Sequence, residues 1–196
     1  MKSNVLKIEK GMNSLEAILR ESEKVAVYNE LTHKQTLQLR LLCEEIDGML
    51  PEIIDRFEGD LWIEFEDGVC KVNVSIQIES FSIEKKDELI AIAKDKKNAA
   101  AVGITGKIRS AVENFFLDED ALRACAAYSD SYYFGAGHSD YACLWSLEKY
   151  RSGIEKKENG EDWDELEKSV IASVADDVVV GVKGKRADII IIKKFA

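Results

Sequence analysis

A carboxylate on a helix flank and a short glycine–lysine segment are the places where this chain could do chemistry. Glu45 lies in the run Leu37 to Leu50, LQLRLLCEEIDGML. Held beside a cleft, it could act as a general base on a water or hydroxyl. The plainer reading is a solvated surface carboxylate. Lys97 and Asn98 lead toward Gly103-Ile104-Thr105-Gly106-Lys107. Glycines near a helix start let backbone N–H groups meet phosphate, and Lys107 adds a positive charge. The glycines are too close together for a Walker A loop. The plainer reading is that Gly103 and Gly106 let a helix pack closely against a neighbour. His138-Ser139-Asp140 has the residue types of a hydrolase triad but not its geometry, because a working triad gathers its members from distant parts of a chain. These three residues suit turns or a helix cap. Cys125, His138 and Cys143 are scattered and lack a fourth ligand, so no metal site is expected.

The elements that must position these residues follow from periodicity. Asn4 to Lys10 alternates as a first strand, and Asn13 or Ser14 can cap a helix that buries Leu15, Ile18 and Leu19. Thr32 to Gln35 has the form of a capping box. Behind it, Leu39, Leu42, Cys43, Ile46, Met49, Leu50 and Ile53 fall on one helical stripe. Pro51, the only proline, should kink or split that helix near Leu50. Asp60 to Ile78 reads as a hairpin about Asp67-Gly68. Helices are expected over Glu84–Lys97, Ala99–Phe116 and, more weakly, Asp118–Tyr128. A glycine- and aromatic-rich loop follows over Ser129–Asp140, and another helix over Ala142–Glu155. A last amphipathic helix from Glu165 breaks at Asp176-Asp177 and enters a final hairpin turning at Lys183-Gly184.

Strands thus gather in antiparallel pairs with helices between them. The expected class is α+β, a two-layer sandwich with helices on one face of a mostly antiparallel sheet. The 196 residues suit one domain, with a helical and aromatic subdomain inserted at about 118–160. Its aromatic residues could form an interface or a satellite core; Tyr141, Trp145 and Tyr150 could partly share a helix face. The net charge of −10 disfavours nucleic-acid binding. No apolar run approaches the roughly 18 residues of a membrane span, and no secretory pattern opens the chain. Four cysteines without a CxxC pair suit reduced, buried thiols and a cytoplasmic protein.

The element order, the run LQLRLLCEEIDGML, the break Asp176-Asp177-Val178 and the tail Lys193-Lys194-Phe195 resemble the GHKL ATPase superfamily, most nearly its anti-sigma-factor serine kinases. The resemblance covers roughly Val5 to Ile78 and Glu165 to Phe195. It implies the histidine kinase-like ATPase fold, with Glu45 in the place of the family's helix glutamate and ATP with Mg²⁺ as the group such a scaffold takes. Four residues on, where the family has an Asn that binds Mg²⁺, stands Met49, and a thioether is a poor ligand for that ion. Val72 to Ser82 lacks the Asp and Gly of the adenine-binding D-x-G-x-G motif. Asp164-Glu165-Leu166-Glu167 stands where a G-x-G-L element should approach phosphate. No cofactor is therefore called for outright. The expected function is that of a cytoplasmic bacterial regulator acting through a protein partner, with nucleotide binding weakened or lost and a homodimer compatible with that role. The alternatives are an active ATP-dependent serine kinase or ATPase using Glu45, Gly106 and Lys107, and a small-molecule binder that reuses the nucleotide cleft.

Overall fold

The turn Asp67-Gly68 sets the register of the sheet. Both residues have positive φ, 48° and 75°, as a two-residue hairpin turn with matching twist requires. They join β2 (Phe57–Glu66) to β3 (Val69–Ile78), which pair antiparallel along their full length. The computed structural model describes residues 1–12, 14–54, 56–78, 104–109, 112, 143–154 and 169–195. Besides this hairpin, it contains β1 (Leu6–Glu9), α1 (Leu15–Tyr28), α2 (His33–Ile53), the short helix α3 (residues 104–109), β4 (Cys143–Ser146) and α4 (Leu147–Ile154). The chain closes with α5 (Val170–Val174), β5 (Asp177–Lys183) and β6 (Arg186–Lys194). The six strands form one antiparallel sheet in the order β1-β2-β3-β6-β5-β4.

Alternation along the strands separates the two faces. Leu61, Ile63, Val72, Val74, Ile76, Val178, Val180, Ile189 and Ile191 point to the helical layer and join the main core. The α2 stripe meets them, with all seven apolar positions from Leu39 to Ile53 buried. Each such fully buried Leu or Ile contributes roughly 1.5–3 kcal/mol of hydrophobic stabilisation. Ile18 and Val25 of α1, Ile104 and Ile108 of α3, Leu147 of α4 and Ile171 of α5 enter the same cluster. The described helices therefore lie on one face, and the α+β two-layer architecture is realised. On the opposite face Val179, Ile190 and Ile192 form a smaller buried cluster beside Val69.

The capping box forms in both directions. Gln35 N–H donates to Thr32 Oγ1 at 3.4 Å, and Thr32 N–H donates to Gln35 Oε1 at 2.9 Å. At Ser14 the hydroxyl instead donates to Asp47 Oδ1 at 2.6 Å and ties α1 to α2. The α1 face buries Ile18, with Leu15 and Leu19 only half-buried, and continues through Glu21, Ser22, Val25 and Ala26.

Three local expectations are corrected. Pro51 does not split α2, which runs unbroken to Ile53, because the proline falls in the last turn, where few hydrogen bonds remain to be lost. Residues 143–146 are not helical. They pair with β5, Trp145 opposite Val180, so Trp145 and Tyr150 lie in a strand and a helix. Pairing with a sheet edge here overrides the local helical pattern. The last turn is Gly184-Lys185 rather than Lys183-Gly184, with Gly184 at φ 58°. The expected helices over 84–97 and 118–128 and the loop 129–140 lie outside the described residues.

Candidate functional site

Glu45 sits where the helical pattern puts it, half-buried on the flank of α2. Its neighbour Glu44 faces outward and accepts from Arg40 Nε at 3.0 Å, an exposed helical pair worth a few tenths of a kcal/mol. Glu45 makes no hydrogen bond or ion pair among the described residues. Met49, one turn further on, is 4% exposed and packed in the main core. The chain thus presents a carboxylate at Glu45 and, at the next position on that flank, a thioether committed to apolar packing. These two residues do not fit a Mg²⁺ site. Val72 to Ile78 form a central strand hydrogen-bonded on both sides, and the rest of the stretch in which the adenine motif is expected, residues 79–82, lies outside the described residues.

The second group of expected site residues is only partly described. Lys97, Asn98 and Gly103 lie outside the described residues. Gly106 is buried and Lys107 half-buried in α3. Lys107 Nζ stands 5.3 Å from the centre of the Tyr150 ring, a cation–π contact that holds α3 to α4. Tyr150 in turn packs at 6.1 Å from Trp145. Its hydroxyl is buried without a partner among the described residues. Arg109 donates to the backbone carbonyl of Glu52 at 3.4 Å, so α3 meets the last turns of α2. Glu52 is two helical turns, about 10 Å, beyond Glu45 along that axis. No hydrogen bond or ion pair joins Glu45 to Lys107 among the described residues. His138, Ser139 and Asp140 lie outside the described residues, as do Cys125 and the side chain of Cys143.

The Asp-Asp break is a structural junction. Asp177 Oδ1 accepts from the backbone N–H of Glu148 and of Val178, at 2.9 and 2.8 Å. Ser146 Oγ accepts from Lys149 N–H at 3.2 Å, so two side chains cap the first turn of α4. Asp176 Oδ2 accepts from Lys194 N–H at 2.6 Å and pairs with Lys193 at 3.2 Å. Arg151 donates to the carbonyls of Asp176 and Ala172 and fastens α4 to the end of α5.

Two cysteines are excluded as nucleophiles by their surroundings. Burial pushes the Cys70 thiol up to about 12, and burial with the nearby Cys70 and Glu44 pushes Cys43 higher still. Both are free and buried, and neither offers the thiolate that reactivity needs. Glu21, also buried, is handled differently. Burial pushes its carboxyl up, but hydrogen bonds from Lys24 and from the Asn4 side chain and backbone together hold it below the usual range. It fastens the chain ahead of β1 to α1.

The pattern reading of single segments missed a groove on the outer sheet face, whose lining comes from β1, β2, β3 and β6. Its signal in the sequence is the set of polar residues at the outward positions of those strands, and only strand order brings them together. Among the described residues no helix is long and apolar enough to cross a membrane. Compared with known proteins, the chain matches no family model, no curated protein and no solved structure.

Proposed function

We propose that the protein is a cytoplasmic bacterial regulator built on an ATPase-like scaffold, acting through a protein partner with nucleotide binding weakened or lost. The observation that carries this reading is the burial of Met49 at 4% exposure, one turn beyond Glu45. On the GHKL resemblance this position should offer an oxygen to Mg²⁺. A buried thioether offers core packing instead, and hard cations take oxygen ligands. The element order on which the resemblance rests, strand, two helices, hairpin and a closing helix with hairpin, runs through one sheet and supports the same reading. Val27, Tyr28 and Leu37 support the partner role. They are 80%, 72% and 51% exposed at the joined ends of α1 and α2, and tyrosine is favoured at binding hot spots.

The test is a thermal melt with millimolar Mg-ATP or ADP, joined to affinity capture from the native host. Any ligand of the native state raises Tm by mass action. The expected result is an unchanged Tm and one stoichiometric protein retained by the wild type but not by Tyr28→Ala/Leu37→Ala. A raised Tm together with ATP turnover that vanishes in Glu45→Ala overturns the proposal.

A further inference from the structure

We draw no further inference here: the strongest candidate, the sheet edge at β1 flanked by the exposed Val5 and Met12, is closed at Glu9, whose carbonyl already accepts from the Met12 N–H at 3.2 Å, and nothing in the structure shows what covers the rest.

Discussion

Asp177 Oδ1 accepts the backbone N–H of Glu148 across 29 residues of sequence, so the first residue of β5 holds the first turn of α4. The same oxygen accepts from Val178 N–H, and Asp177 is 5% exposed. Replacement by Ala strips a helix N-terminus of its acceptor and leaves buried donors without a partner. Asp177→Ala should cost about 1–3 kcal/mol in urea unfolding. Glu148→Ala, which keeps the donating backbone, should cost less than Asp177→Ala.

Two glycines should respond to alanine with opposite signs. A Cβ on Gly59 would stand 2.2 Å from the Ser75 carbonyl oxygen and 2.9 Å from Ile76 Cα, both backbone atoms that cannot swing away. Gly59→Ala should destabilise by about 3 kcal/mol or more through forced strand separation. Gly48, exposed in α2, would place its Cβ in open space. Gly48→Ala should stabilise by about 1 kcal/mol through helix propensity alone. Thermal unfolding of both variants checks the contrast.

Glu21 should give the protein an acid-sensitive component of stability. Its folded pKa lies below the ordinary 4.5, so the stabilisation is complete above that value and is lost as pH falls through the lower, folded pKa. Urea midpoints measured from neutral pH downward should drop below about pH 4.5 in the wild type. In Glu21→Gln the midpoint should be lower at neutral pH, and this part of its acid slope should be absent.

Restoring the family's residue on α2 should not restore its chemistry. Met49→Asn places an amide at a position 4% exposed, among Leu42, Ile46 and Ile53 of the same stripe. Lost apolar burial and an unsatisfied amide should cost about 3 kcal/mol. Isothermal titration should detect no gain in Mg-ATP affinity.

Cys43 and Cys70 should resist alkylation in the native protein. Both thiols are buried and held protonated well above neutral pH. Mass spectrometry of iodoacetamide-treated protein should find both unmodified at pH 8, and both modified once urea unfolds the chain. Modification at equal rates in the two states would show that the interior around α2 and β3 opens readily.

The α2 helix was legible almost residue by residue. Its capping box and its seven stripe positions are local facts, set by hydrogen bonds within four residues and by a fixed helical period. The Asp67-Gly68 hairpin was equally legible, because the turn dictates the register of both strands. Residues 143–146 were not legible. A stretch of four can be strand or helix on pattern alone, and the free edge of β5, contributed by residues more than 30 positions away, decides it. Of the candidate site, the flank position of Glu45 and the inward position of Met49 followed from helix geometry. The placement of Lys107 over Tyr150 did not, since nothing within either segment specifies the other.

Taken alone, the order of residues determined where helices start, which face each one buries and where the central hairpin turns, because these depend on neighbours within a few positions. Only the tertiary structure decided the strand order β1-β2-β3-β6-β5-β4, and with it the row Glu9, Glu58, Gln77 and Arg186. The members of that row come from four strands separated by up to 177 positions in sequence. Their outward direction is a local property of each strand, but their juxtaposition is a property of the hydrogen-bonded sheet as a whole.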